Sequence, residues 1–571
     1  MSAPIIPLTN VIQPAGTVSF SGMVREPTII TVQSGATYYV SAAAGIIIVD
    51  NKNNIQSARI NVVAPFYKVP GGLSKVLVKC KYPDHGPVNV SFLKAAFDFS
   101  QGSFQATATI CGPGAGTKPY VVMGFYHDEG VWRHLEGSPL MALYSAGSAV
   151  RPTQLSGKMA HFGAATAVSN SGNIIAVAAP NYNIDQNTFG AVLVYRYNSA
   201  VYNYVLEATL SQSGIGSSGF GSCLSFNVDE NMLAIGAPQY SYNTDSNKGA
   251  VFMYHYVAGQ GWTCDLTASP SSGVYNGLVQ APYLITHDSH FGYNCAFSPC
   301  DDKFVVAANG LNNNGTDAQP QYGGIAWFTV NSQTFQTTFK DTFAIPDNYF
   351  DKFASTCDLG ISLAFSPDAT RIVVTNDVWQ HNNGLAGAAY VYKYNFLNGA
   401  WEYDSSIALP DSWVFVRNFG TSAAIGLDPN MVVIGGDNSS NSLITHDGAV
   451  FTFTRDASGG SWVMQPNPLR IPSNVAQFAS GFGNKIITSR DMSRMFVIAP
   501  LPGTNQSSGV GRCFSFYRCE GTWTLANTYS PNFGTYTSNL GGNIACSGDM
   551  RPVILGLPGF ANQDGAFSVF C

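Results

Sequence analysis

The chain has 571 residues, and 45% of them are hydrophobic, so it can bury a sizeable core in several domains or in one repeat array. Only 11% are charged, well under the roughly 25% of ordinary soluble domains. The net charge of −6 without a long Lys/Arg run argues against a nucleic-acid binder, and no apolar run reaches the ~18 residues of a membrane-spanning helix.

Residues 1–16 contain prolines and no period, and read as an N-terminal arm. They lack the basic and apolar regions of a secretory signal. From residue 17 to about residue 120 the chain shows short strands: TVSFSG, TIITVQ, TYYVSA, GIIIVD, ARINVV, KVLVKC, VNVSFL, FQATATI and, at the end, YVVMGFY. Gly, Pro, Asn and Asp separate them, which predicts an all-β assembly or anchoring domain, a β-sandwich of the jelly-roll kind. CGPGAGTKP, residues 111–119, reads as the junction, so that 121–571 form the second domain.

A repeat then begins. Its opening pair stands at Phe162-Gly163, Phe220-Gly221, Phe291-Gly292, Leu359-Gly360, Phe419-Gly420, Phe482-Gly483 and Leu540-Gly541, at intervals of 58, 71, 68, 60, 63 and 58 residues. Units therefore start near 161, 219, 290, 358, 418, 481 and 539. Each opening leads to a polar turn such as NVDEN or SPDATR, an apolar strand such as IIAVAAP or MLAIGAP, and a Gly-led third strand such as GAVLVY or GAVFMY. A fixed period with four strands per unit predicts a seven-bladed β-propeller, one blade per repeat. Trp132, Trp262, Trp401, Trp462 and Trp523 each follow a Gly by one or two residues and read as blade packing at the start of an outer strand. The last repeat lacks such a strand. Gly130–Leu135 has its character, and is expected to close the ring as the outermost strand of blade seven, antiparallel to Gly565–Phe570.

The FG opening, the GAP ending of the second strand and the G-A-V-x-x-Y third strand resemble the FG-GAP repeat of integrin-α-type propellers, over about residues 153–571. The resemblance implies the propeller fold and a ligand face on the second-to-third-strand loops and the interblade connectors. That family also carries D-x-D-x-D-G calcium loops. Here the turns between first and second strands supply no such oxygen set, so neither metal nor cofactor is expected.

The eleven cysteines include no CxxC pair, which argues against zinc. Most read as small buried hydrophobes, and Cys513 and Cys519 flank a turn where they could face each other across a hairpin. His287-Asp288-Ser289-His290 is the most suggestive polar cluster, but HxxH without a third ligand is weak. His127-Asp128-Glu129 and His446-Asp447 place acids beside imidazoles without showing a shared pocket. No GxSxG, HExxH, P-loop or sialidase-type box is present, so the chain is expected not to be an enzyme.

The second-to-third-strand loops are rich in Asn, Tyr, Gln and Ser, a binding-surface chemistry on a rigid scaffold. The ligand face is expected to use Tyr182, Asn183, Tyr240, Tyr242, Asn243, Trp379, His381 and Asn382. Low charge, polar loops and the unsigned N-terminus together predict a structural protein at a virion surface, whose propeller binds a host receptor protein or glycan, other virion or surface proteins, or further copies of itself. The alternative is a secreted or cell-surface adhesin or lectin-like module, for which the sequons at Asn89, Asn314, Asn438 and Asn505 matter. A propeller glycosidase or lyase is the third reading.

Overall fold

The computed structural model describes the strands of residues 1–149 by their backbone. It describes residues 150–571 apart from 151, 186–187, 199–202, 242–246, 267–272, 283–288, 311–322, 344–358, 378–379, 382–383, 386, 411–415, 440–447, 456–459, 472–480, 501–510, 520, 530–542, 548–549, 551 and 571. The chain divides into two units, Met1–Tyr144 and Ser145–Cys571.

In the first unit Asn10–Gln13 pairs with Gly16–Ser19 as a small hairpin, so the expected arm is partly a strand. Nine further strands form two sheets. One holds Thr28–Thr31, Ile46–Asp50, Ser74–Cys80, Val122–Asp128 and Val131–His134. The other holds Thr37–Ser41, Ala58–Val63, Val88–Leu93 and Phe104–Thr109. Strands from Thr28 to Leu93 alternate between the two sheets, so neighbours within a sheet run parallel. A jelly roll is antiparallel throughout, and the expected jelly-roll character is therefore corrected.

The unit boundary also moves, from near residue 120 to residue 144. Val131–His134 is not the outer strand of blade seven. It pairs antiparallel with Val122–Asp128, with Val131 opposite Asp128, and Val122–Asp128 in turn pairs with Ser74–Cys80. A partner this near in sequence closes a far shorter loop than a pairing more than 400 residues away, so the local partner wins. Trp132 accordingly belongs to the first unit.

The second unit is the seven-bladed propeller. Blade one shows the pattern in full: Thr166–Val168, Ile174–Asp185, Thr188–Asn198 and Asn203–Leu210 pair antiparallel in chain order. The second strands read apolar on both faces because both faces are buried. In blade one Ile175 and Val177 enter the cluster shared with blade seven, beside Ile554 and Phe567. Ile174 and Ala176 enter the cluster shared with blade two, beside Leu233 and Phe252. The alternation of a strand thus sends successive residues into two different interblade cores.

The repeat motif acts between blades. Gly249 opens the third strand of blade two and bridges Phe291 of blade three; Gly448 bridges Phe482 in the same way. The glycine of the FG pair adopts positive φ wherever it is described, from +90° at Gly292 to +102° at Gly420, a region that favours residues without a Cβ. The outer-strand tryptophans extend the interlock. Trp262 donates to Glu207 of blade one at 3.0 Å, Trp462 to Ser405 of blade four at 2.9 Å, and Trp523 to Thr452 of blade five at 3.2 Å.

Blade seven has three described strands, Ile544–Cys546, Val553–Leu557 and Ala566–Phe570. Among the described residues several contacts close the ring. Val150 and Phe567 exchange backbone hydrogen bonds of 2.7 and 3.2 Å. Gly565 bridges Phe162, repeating the FG interlock. The buried Asp564 carboxylate accepts the N–H groups of Gly157 and Met159 at 2.8 and 3.1 Å. The longest repeat, at 71 residues, is explained by a strap: Val274–Tyr275 joins the outer edge of blade three, and Leu278–Gln280 pairs with the third strand of blade two. Cys513 and Cys519 both lie on Arg512–Cys519, paired with Tyr529 and Thr522, so they do not face each other.

Candidate functional site

The propeller has two ends. At one, first strands begin and second strands finish; this FG end carries the second-to-third-strand loops. The other carries the polar turns between first and second strands. Between them the inner strands of all seven blades line a central cavity of about 430 Å³. Its walls mix apolar side chains, Leu224, Phe297, Phe365 and Ile487 among them, with polar ones such as Ser225 and Asn227, and Arg490 stands at the turn end.

Two hairpins lengthen the FG end. In blade one the second and third strands run on past Ala179, and Asn183 pairs with Phe189 and Asp185 with Thr188. In blade five the first and second strands, Val416–Ile425 and Met431–Ser439, continue to the pair Val416–Ser439. A short hairpin, Gln380–His381 with Gly384–Leu385, belongs to the corresponding loop of blade four.

A polar cluster sits at this end between blades five and six. Asp437 accepts from Asn418 Nδ2 at 3.0 Å and from Asn484 Nδ2 at 2.9 Å. Lys485 is the next residue. Burial pushes its ammonium below the usual lysine range, and the carboxylates of Asp437 and Asp377 pull it back up. Its chemistry is that of a carboxylate–amide–ammonium set, which matches a ligand carrying both hydroxyl donors and acceptors. The sequence contained a signal for it. The proline of the GAP ending, Pro180, Pro238, Pro500 and Pro558, is replaced by Asn309, Asp377 and Asp437 in blades three to five. A break in the repeat at one rim marks the positions that no longer serve only the fold.

The expected face residues meet different fates. Asn183 is exposed on the blade-one hairpin. Tyr182 is half-buried, packs against the core between blades seven and one, and donates to the Gln154 carbonyl at 3.5 Å. Tyr240 turns inward, its ring 5.5 Å from Phe252, and burial pushes its phenol up. His381 is placed by its backbone in the blade-four hairpin. Tyr242, Asn243, Trp379 and Asn382 lie outside the described residues, as do His287, Asp288, His446 and Asp447. Among the described residues no group of three or more His, Cys, Asp or Glu could hold a metal ion, and no helix is long and apolar enough to cross a membrane.

No family model matches the sequence, and no curated protein matches it. Among solved structures, a putative 6-phosphogluconolactonase from Bacteroides uniformis is 12% identical with a TM-score of 0.41, over 72% of this chain and 91% of its own. Another, from Bacteroides fragilis, is 10% identical with a TM-score of 0.41, over 72% and 90%. Those names correct one expectation. The exclusion of an enzyme rested on missing motifs, and it is withdrawn, because similar solved chains bear an enzyme's name. A likeness this distant carries nothing about the chemistry of this chain.

Proposed function

We propose that this chain is a surface structural protein of a virus particle, with the propeller projecting to bind a host receptor or a neighbouring subunit through its FG end. The observation that carries the reading is the concentration of non-repeating features there: the blade-one hairpin with exposed Asn183, the lengthened blade-five hairpin, and the Asp437–Asn484–Lys485 cluster. A rigid ring presenting amide-rich loops suits recognition of a partner. Low charge, at 11%, supports a surface β-protein. In this reading the repeats are of the FG-GAP kind, and the two N-terminal sheets face each other as the sandwich that anchors or assembles the protein.

The second reading is a secreted or cell-surface adhesin or lectin-like module. The sequon at Asn438 favours it, standing at the outer end of the blade-five hairpin. Mass spectrometry of purified particles and of secreted fractions separates the two. An intact chain recovered in particles supports the first reading; a glycosylated chain in the secreted fraction alone overturns it. The binding face is tested with full-length Asn183→Ala and Asp437→Asn variants. Attachment to cells is expected to fall at least several-fold with each, and unchanged attachment for both would move the contact surface elsewhere.

A further inference from the structure

Cys223 stands just before the first strand of blade two and Cys295 on the first strand of blade three, one residue further along the repeat, and their sulfurs lie 2.9 Å apart. Both side chains are buried, at 7% and 5% exposure. In blade five the place of Cys223 holds Ser422, whose hydroxyl donates to the carbonyl of Gly483 in the next blade. Cys223 makes the matching contact to Gly292 at 3.4 Å. A serine would therefore satisfy the local hydrogen bond, and that bond does not account for the second thiol beside it. The pair stands 72 residues apart in sequence, and in the fold it joins two blades whose other covalent link is the backbone strap.

We propose that Cys223 and Cys295 are an oxidation site that forms a disulfide stapling blade two to blade three. A disulfide needs its sulfurs at about 2.05 Å, so less than 1 Å of approach is required from the thiol contact. The oxidant is a peroxide, small enough to enter the central cavity that Leu224, the neighbour of Cys223, lines. One sulfur attacks a peroxide oxygen, the O–O bond breaks, and a sulfenic acid and one water form. The second thiol then displaces the sulfenic hydroxyl, which leaves as a second water with the thiol proton. Two thiols lose two electrons, and one peroxide gains them. Burial pushes the Cys295 thiol well above its ordinary range, with the neighbouring Cys223 adding to the rise. Oxidation is therefore slow near neutrality and accelerates with the thiolate fraction, about tenfold per pH unit.

The test treats the full-length protein with hydrogen peroxide, quenches, denatures in an alkylating agent, and digests for mass spectrometry. The expected product is one peptide pair joined through Cys223 and Cys295, formed roughly tenfold faster at pH 8 than at pH 7, together with a rise in melting temperature that a reductant reverses. Cys223→Ser, which reproduces the arrangement at Ser422, is expected to lose both. Recovery of the two cysteines as separately alkylated or separately over-oxidised peptides overturns the proposal. So does a peroxide-induced rise in melting temperature that persists in Cys223→Ser.

Discussion

The interlock between blades makes a quantitative prediction at Gly565, where the ring closes. Gly565 has φ +87°, and a Cβ built there would meet Phe162 O at 2.1 Å, N at 2.3 Å and C at 2.7 Å. All three atoms are backbone, so relief requires moving the strand rather than a side chain. Gly565→Ala carries two costs. The left-handed conformation costs a residue with a Cβ about 1–2 kcal/mol. Displacing Phe162 strains the bonds from Phe162 N to Asp564 O and from His161 N to Gln563 O, at 3.1 and 2.8 Å, each worth about 0.5–1.5 kcal/mol. It also loosens the fully buried Phe162 ring from Phe567, 5.7 Å away. The sum is about 2–5 kcal/mol. Gly259 supplies the control: its φ is +83°, and nothing lies within 4 Å of its would-be Cβ. Gly259→Ala should cost only the conformational part, about 1–2 kcal/mol. Urea unfolding followed by tryptophan fluorescence reads both variants. Equal losses for the two would refute the interlock as the reason for glycine at this place.

Other predictions follow from the same geometry. Truncation after Gly556 removes Asp564 and the strand Ala566–Phe570, and should broaden the unfolding transition as the ring opens; a transition as sharp as that of the intact protein would contradict the closure. Trp462→Phe keeps a ring beside Arg455, 4.6 Å from its centre, but deletes the bond to Ser405; a loss of about 1 kcal/mol in denaturant midpoint analysis is expected. His255 stacks on Phe335 at 4.2 Å, and its Nδ1 is buried without a hydrogen-bond partner. Burial lowers its pKa, and Asp265 opposes that only in part. Because the folded pKa is the lower one, the unfolded chain binds the proton more readily between the two values. Stability should therefore fall on acidification from the ordinary imidazole pKa down to the lowered one. Melting curves from pH 8 to pH 5 should flatten in His255→Gln, and an unchanged slope would assign it to other groups. At Asp491 burial raises the carboxyl, but the Ser489 hydroxyl and the Ser493 N–H outweigh it and the net shift is down. Its contribution is present above the ordinary carboxylate pKa and is lost as pH falls through the lowered value, which Asp491→Asn should abolish in acid titrations.

Much of the propeller was legible because repeats average over local ambiguity. One strand such as MLAIGAP is equivocal, whereas seven in-phase copies each followed by a Gly-led strand are not. The outer-strand tryptophans 262, 401, 462 and 523 read as packing from their Gly-Trp setting, and they are packed between blades. The misreadings share a cause. Val131–His134 has the residues of an outer blade strand, yet Val122–Asp128 gives it a partner far nearer in sequence. Tyr240 sits in a polar loop of binding-surface composition, yet its first turn past Pro238 aims it back at Phe252. Cys513 and Cys519 read as flanking a turn, yet both lie on the single strand Arg512–Cys519.

The sequence by itself determined the number of blades, the order of strands within each and the positions needing glycine. These depend on local conformation and on a period that recurs every 58 to 71 residues. Only the tertiary structure decided which blade each motif touches. Gly565 meets Phe162, Trp462 meets Ser405, Cys223 meets Cys295, and Asp437 gathers Asn418 and Asn484. Composition is blind to such pairs, because a side chain's partner on the next blade is set by ring geometry. Repeats of unequal length shift that partner without changing the motif that displays it.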